Sequence, residues 1–302
     1  MIPVYKAEHS LRELYTRLVA SLEVMSPDFE IILVEDAGGD RSWEIITEIS
    51  TADPRVGGIC LSRNFGQHHA ITAGLDVADA AWIVVMDCDL QDQPEEIKKL
   101  YEKALEGYDC VLARRDERND FFIKRKMSEW FHRLLGFLSD IKHDPRTSNF
   151  GIYSRRLIDN VKLYREQCRD LGAFLELVGF SRTTIPVNHA PRRLGNSTYT
   201  FNKRLSFAIN IIVAFSNKPL VLSIKFGFIG VVISFSYMVY LILLYFSTGV
   251  PVSGWTSMIA SIYLVGSLLL INMGFIGLYI GKVFDETKNR PLYTIKSTTK
   301  IF

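Results

Sequence analysis

The sequence predicts an α/β fold, a mostly parallel sheet covered by helices on both faces, continuing into a region that crosses a membrane twice. Three observations carry this. From residue 3 to residue 113, short apolar runs alternate with segments of helical period, the pattern of strand–helix units. Phe226 to Phe246 and Trp255 to Gly281 are 21 and 27 residues without one charge, and about 20 apolar residues span a bilayer core. The charge is split between the same two parts. Residues 1–202 carry 26 Lys and Arg against 31 Asp and Glu, whereas residues 203–302 carry 9 basic residues against only Asp285 and Glu286.

The composition excludes other classes. With 302 residues, 48% hydrophobic and 23% charged, the chain is too apolar to be disordered. Its 20 Gly and 10 Pro follow no repeat, which excludes a collagen-like chain. A net charge of +2 gives no basic footprint for nucleic acid. The four cysteines, Cys60, Cys88, Cys110 and Cys168, form no C-x-x-C pair and no zinc spacing, so they read as isolated thiols of a reducing compartment. Met1-Ile2-Pro3-Val4-Tyr5 lacks the charged start and apolar run of a signal peptide. The chain opens almost inside a strand, from which a start a few residues upstream is expected.

The elements follow in order. Pro3-Val4 ends a first strand, and Leu11, Leu14, Leu18 and Leu22 mark a helix. Glu30 to Asp36 is a buried strand ending in acids, followed by a helix from about Ser42 to Ser50. Val56 to Leu61 is a third strand and Gln67 to Ala78 a third helix. Ala81 to Asp87 is a fourth strand, Pro94 to Glu106 a helix capped near Asp92, and Tyr108 to Ala113 a fifth strand. In open sheets of this kind, ligands gather beyond the carboxyl ends of the strands, where Asp36 and Asp87 both fall.

The back of the chain reads as an anchor. Lys203, Arg204, Lys218 and Lys225 precede the first span, and Lys282, Lys288, Arg290, Lys296 and Lys300 follow the second. The positive-inside rule puts both termini and the front domain in the cytoplasm. Phe121 to Leu138 places apolar residues at helical spacing among Lys124, Arg125, Lys126 and Arg133, and Thr200 to Ser216 repeats the style; both are expected as helices in the plane of the membrane surface. The expected organisation is an α/β domain over 1–199, a juxtamembrane helix over 200–219, membrane helices at about 226–247 and 256–281, and a cytoplasmic tail over 283–302. Gly266, Ser267, Gly274, Gly277 and Gly281 permit close helix packing within one chain or in a homo-oligomer.

No G-x-G-x-x-G, P-loop or H-E-x-x-H motif occurs. His68 and His69 are adjacent, so they do not share a helix face. The informative string is Val84-Val-Met-Asp87-Cys-Asp89-Leu-Gln91-Asp-Gln-Pro94-Glu95-Glu96. Asp87 follows an apolar strand and Asp89 lies two residues on. If the backbone turns there, both carboxylates face one hard cation, with Gln91 adding a carbonyl. Ligands of oxygen alone suit Mg²⁺ or Mn²⁺.

These motifs resemble those of family 2 glycosyltransferases, in particular their polyprenyl-phosphate branch. Pro3-Val4-Tyr5 resembles the opening P-x-Y-N-E element, and Val34-Glu35-Asp36-Ala-Gly-Gly-Asp40 resembles V-D-D-G-S-x-D. Ser62-Arg63-Asn64-Phe65-Gly66 and Asp87 to Glu95 follow the branch closely, Arg192 to Tyr199 resembles R-x-x-G-x-S-K-Y, and Ser216 to Leu220 precedes two spans as in the branch. The resemblance implies a GT-A, Rossmann-like nucleotide-sugar-binding domain followed by amphipathic interfacial helices and two transmembrane helices. It implies that Pro3, Tyr5, Val34, Asp36 and Arg192 hold the donor and that Asp87, Asp89 and Gln91 hold the metal. Arg114, with Lys124 or Arg125 and Ser128, would meet the acceptor phosphate, and Asp89 and Arg114 would carry the catalytic step. The implied reaction is inverting transfer of one sugar from a UDP- or GDP-linked donor to undecaprenyl phosphate, for cell-envelope glycans such as lipopolysaccharide, at the bacterial inner membrane.

Four positions depart from the pattern. Lys6-Ala7 stands for Asn-Glu, Glu35 for the first Asp of the pair, and Thr198 for a frequent Lys. Ser148-Asn149-Phe150-Gly151 replaces an element that often carries an acid; a base supplied there in relatives is not supplied by Asn149. Two other readings use the same parts: a processive polysaccharide synthase, disfavoured because Q-x-x-R-W is absent, and a membrane-anchored nucleotide-sugar binder without turnover.

Overall fold

The computed structural model describes residues 1–114, 136–138, 147–190, 212–248 and 254–300. The chain forms two compact units, one of Met1–His132, Ile141–Thr198 and Arg290–Phe302, the other of Arg133–Asp140 and Tyr199–Asn289.

Among its described residues the first unit holds eight strands. One sheet has the order β1 (Ile2–Val4), β2 (Ile31–Glu35), β3 (Val56–Leu61), β8 (Ile295–Thr298). The other has the order β4 (Trp82–Val85), β6 (Thr147–Ser154), β5 (Cys110–Arg114), β7 (Arg182–Pro186). β1, β2 and β3 are parallel, as are β5 and β7, whereas β6 and β8 run antiparallel to their neighbours. Met1 stitches the two sheets together, its amino group donating to the Val84 carbonyl at 2.7 Å and its carbonyl accepting from Met86 N–H at 3.3 Å.

Helices cover both faces. The buried positions of α1 (Leu11–Glu23), α2 (Ser42–Ala52) and α4 (Ile97–Ala104) share one cluster with Ile31 and Leu33. Successive strand residues point to opposite faces, and Ile32 and Val34 are buried too. α3 (Gln67–Val77) lies over that second face, since a Cβ on its Gly74 would sit 3.1 Å from Val34 Cγ2. This is why β2 reads as an uninterrupted apolar run. α5 (Arg155–Leu163) starts where the Ser154 hydroxyl accepts from Leu157 N–H, and α6 (Leu171–Val178) where Asp170 accepts from Ala173 N–H; α6 stops at Gly179 with φ 74°.

Two sequence expectations are corrected: the described strands form two mixed sheets rather than one mostly parallel sheet, and the fourth helix starts differently. Asp92 does not cap the fourth helix. That helix opens as a 3₁₀ turn, Pro94–Glu96, with Gln93 at the cap position and no side-chain cap bond. Asp92 is instead 1% exposed and pairs across an isolated antiparallel bridge with His189, a tertiary partner that local spacing does not show.

The second unit holds α7 (Lys218–Thr248) and α8 (Trp255–Thr287). Lys218–Leu241 and Ser261–Thr287 are long and apolar enough to cross a membrane, each with mean hydropathy 1.9 and none of the most apolar window buried. Core helices of a soluble protein would bury that surface. Side chains such as Phe226, Phe228, Leu264 and Leu270 are instead largely exposed, an apolar area far beyond what a water-soluble surface carries. Within this unit, Tyr279 Oη donates to the Ser216 carbonyl at 2.8 Å, and Lys218 Nζ donates to the Phe137 carbonyl at 3.0 Å. Residues 136–138 and 212–215 are helical; the rest of the two expected interfacial helices lies outside the described residues.

Candidate active site

The carboxyl ends of β1, β2 and β4 supply the site. The register sets Pro3 opposite Val34 and Val4 opposite Glu35, and Asp36 N–H donates to the Val4 carbonyl at 2.9 Å. Asp36 therefore emerges just past the sheet beside Tyr5. Pro3 and Val34 are buried in the strands, Asp36 is 3% exposed, and Tyr5 is 48% exposed. A carboxylate this buried needs donors, and the turn after β3 provides them. Phe65 N–H donates to Asp36 Oδ1 at 2.7 Å and Gly66 N–H to Oδ2 at 2.8 Å. Burial pushes the Asp36 carboxyl above the usual range, and these two N–H groups oppose that shift. Gly66 adopts φ 98°, a conformation that glycine alone takes without steric cost.

The next residue completes the link. Gln67 Nε2 donates to Asp87 Oδ1 at 2.7 Å. Asp87, Asp89 and Gln91 are all half-buried in the loop after β4, and Asp89 Oδ1 accepts from Gln91 N–H at 3.1 Å. Ser10 Oγ, at the start of α1, donates to the Cys88 carbonyl at 2.8 Å and ties this loop down. The donor set of Asp87, Asp89 and the Gln91 amide is hard oxygen throughout, which fits a Mg²⁺-type cation. Among the described residues no group of three or more His, Cys, Asp or Glu forms a cage. A cation on these residues would thus draw its remaining ligands from water and substrate.

Strain gathers at the same place. Lys6, Ala37 and Leu90 have φ of 53°, 48° and 61°. They follow β1, β2 and β4, and left-handed backbone is costly for residues with a Cβ. Lys6 stands where the family pattern has Asn, a residue tolerant of this conformation, and Ala37 where it has Gly.

Gln67 and His189 are functional candidates that spacing alone missed. His189 Nδ1 lies 3.4 Å from Asp92 Oδ1, Ala190 N–H donates to the Gln91 carbonyl at 2.9 Å, and Asn188 Nδ2 donates to Glu96 Oε1 at 2.8 Å. The segment leading toward Arg192 is thus laced to the acidic loop. Arg114 ends β5, opposite Thr147 of β6 and Pro186 of β7. Asn149 lies in β6, its carbonyl accepting from Tyr153 Oη at 3.0 Å. Half-buried His68, at the start of α3, has Nε2 3.8 Å from Asp170 Oδ2, and desolvation lowers its pKa. Lys124, Arg125, Ser128, Arg192 and Thr198 lie outside the described residues.

Comparison with known proteins decides the family. The model for glycosyl transferase family 2 matches residues 1–162. The chain belongs to glycosyltransferase family 2. It is 34% identical over 299 residues to the SfII prophage-derived bactoprenol glucosyl transferase of Shigella flexneri, covering 99% of this chain and 97% of that one. It is 32% identical over 307 residues to the undecaprenyl-phosphate 4-deoxy-4-formamido-L-arabinose transferase of Edwardsiella ictaluri (strain 93-146), covering 99% and 93%. In fold it is similar to glucosyl-3-phosphoglycerate synthase from Mycobacterium tuberculosis, crystallised with Mn²⁺, UDP and phosphoglyceric acid. That match has a TM-score of 0.51 at 14% identity and covers 70% of this chain and 74% of that chain. This family 2 chain is thus a membrane-associated glycosyltransferase with a GT-A-like fold, and its two aspartate-bearing strand ends fall within the matched residues.

Proposed function

We propose that the protein transfers one sugar from a UDP- or GDP-linked donor to undecaprenyl phosphate, inverting the anomeric centre, at the cytoplasmic face of the bacterial inner membrane. The observation that carries this reading is the joining of Asp36 and Asp87 through Phe65, Gly66 and Gln67, in a chain that also holds two lipid-compatible helices. The printed functions of the two bacterial relatives support the acceptor class.

The chemistry follows from the acceptor. A phosphate monoester has a second pKa near ~6, so at pH 7 it is largely a dianion and attacks without a strong base. Asn149 in place of an acid is compatible with this. The demanding event is departure of a nucleoside diphosphate. Asp87, Asp89 and Gln91 would hold a divalent cation, Mg²⁺ or Mn²⁺, which supplies charge stabilisation for the diphosphate. Asp36, Tyr5 and the backbone at Pro3 and Val34 would seat the nucleotide, with Arg192 at its phosphates. Arg114, and Lys124 or Arg125 with Ser128, would receive the lipid phosphate. The orientation is supported by the tail. β8 follows the second apolar helix and pairs with β3, so a chain crossing twice returns to the side of its catalytic unit. Lys218, Lys225, Lys282, Lys288 and Arg290 near the hairpin ends support a cytoplasmic reading of that side.

The test is an assay of purified membranes with Mg²⁺ or Mn²⁺, a panel of nucleotide-sugars and undecaprenyl phosphate, read by product mass. A lipid carrying one sugar is expected. Long polymer, or bound donor without product, overturns the proposal.

A further inference from the structure

The last described residues are built into the sheet. β8 lies antiparallel to β3, pairing Ile59 with Thr298, Cys60 with Ser297 and Leu61 with Ile295. Ser62 N–H donates to the Thr294 carbonyl at 2.8 Å, and Thr299 N–H to the Gly58 carbonyl at 3.0 Å. Thr299 Oγ1 accepts from Gly58 N–H at 2.8 Å and from Ser50 Oγ at 2.7 Å. Leu292 is buried, and Gln167 Nε2 donates to the Arg290 carbonyl at 2.7 Å. Tyr293 Oη donates to Asp76 Oδ2 at 2.7 Å, the same carboxylate that Arg165 grips.

Two of these contacts, Ser62 with Thr294 and Asp76 with Tyr293, fall at the two ends of one stretch of chain, and the pairings of β8 and Thr299 with β3 fall just before it. Ser62 directly follows β3, and Asp76 lies near the end of α3. Between them run Phe65 and Gly66, which hold Asp36, and Gln67, which holds Asp87. Without β8, β3 would be an edge strand with unpaired backbone groups, and the turn after it would lose its Ser62 anchor.

We propose that Arg290–Thr299 is a positioning strap for the donor site, fixing residues 62–76 at both ends so that the 65–67 turn presents Asp36 and Asp87 to the nucleotide diphosphate. The inference rests on the donor reading of those two aspartates. It assigns a role in donor binding to Tyr293 and Thr299, neither of which belongs to the site. Because α8 ends at Thr287, the strap begins almost at once after the membrane hairpin.

The test uses the full chain in lipid nanodiscs, comparing wild type with Tyr293→Phe, Thr299→Val and the double variant. Amide exchange is expected to accelerate by about tenfold across residues 62–67 in the double variant, while β5 and β6 stay as in wild type. Affinity for whichever of UDP or GDP the wild type binds with Mn²⁺ is expected to fall by about three- to tenfold. The donor KM should rise in step, with kcat at saturating donor within about twofold. Faster exchange in every strand would show general destabilisation and overturn the proposal, as would faster exchange at 62–67 with unchanged nucleotide affinity. Wild-type protein that binds neither nucleotide overturns the donor reading itself, a failure that the wild-type control isolates.

Discussion

Asp36 and Asp87 are gripped by consecutive residues of a single turn. Phe65 and Gly66 N–H groups take the two oxygens of Asp36, and the Gln67 side chain takes one oxygen of Asp87. Two carboxylates from separate strands are thereby locked to one short segment. Movement of that segment moves both.

Asp89→Ala tests the metal assignment. The variant should lose transfer by at least about 100-fold, the scale of removing one electrostatic stabiliser of a departing group. Membrane insertion and the thermal midpoint should stay near wild type, because Asp89 is half-buried in a loop. Turnover measured with labelled donor decides it, and near-normal rates would refute the role.

Gln67→Ala tests the link between the two acids. Asp87 would lose the donor that orients it, and orienting partners of ligands are worth about 10- to 100-fold in metal affinity. The metal concentration for half-maximal activity should rise by that order. At saturating metal, kcat should recover most of its value. A shift in kcat alone would contradict this.

Asp36→Asn replaces two accepting oxygens, each of which takes one N–H, with a side chain that has only one accepting atom. The remaining N–H would face an amide NH₂, and such a mispairing costs about 1–3 kcal/mol. Nucleotide affinity should fall by roughly tenfold or more, read by calorimetry. There is also a pH signature. Burial raises the Asp36 pKa, so protonation, and loss of the acceptor, begins at higher pH than for an ordinary aspartate. Wild-type affinity should weaken on acidification through that range, and the Asn variant should show a flatter profile.

Ala37→Gly should stabilise the catalytic unit. Ala37 holds φ 48°, which costs a residue with a Cβ about 1–2 kcal/mol. The greater freedom of glycine in the unfolded chain returns about 0.5–1 kcal/mol of that gain. A net increase of about 0.5 kcal/mol or more is expected in denaturant unfolding, and a decrease would show that the strain is not felt at this position.

Asp109→Asn tests acid stability. Hydrogen bonding to Arg156, at 2.7 and 2.8 Å, holds the Asp109 pKa at about 2. A depressed carboxylate stabilises the fold above its unfolded pKa, and that contribution is lost as pH falls through the folded value. The variant should be less stable than wild type at pH 7, by about 1 kcal/mol after solvent screening. The gap should close between about pH 4 and pH 2. A gap independent of pH would contradict this.

Parallel β2 was legible because burial on both faces leaves a continuous apolar run, Ile31–Glu35, and antiparallel β4 from its short apolar run, Trp82–Val85. Their acidic ends pointed to the site. The chain from Thr147 to Pro186 was not resolved into elements from sequence, since β6 mixes polar and apolar residues without clean alternation. β8, Ile-Lys-Ser-Thr, carries three polar residues and, counting Ile295, is exposed at three of its four positions, and only its pairing with β3 makes it a strand. Gln67 and His189 could not be found by spacing, because their partners Asp87 and Asp92 are brought to them by tertiary contact. Asp92 shows the reverse error, where a local capping rule gave way to a distant histidine.

The returning strand also orders biosynthesis. β8 follows α8 in the chain, so β3 keeps an open edge until both apolar helices have been translated. Domains fold largely as they emerge, yet this one closes its sheet only after the helices that seek lipid exist. The Ser62 anchor of the turn that grips Asp36 and Asp87 is thereby completed only after both apolar helices have been made.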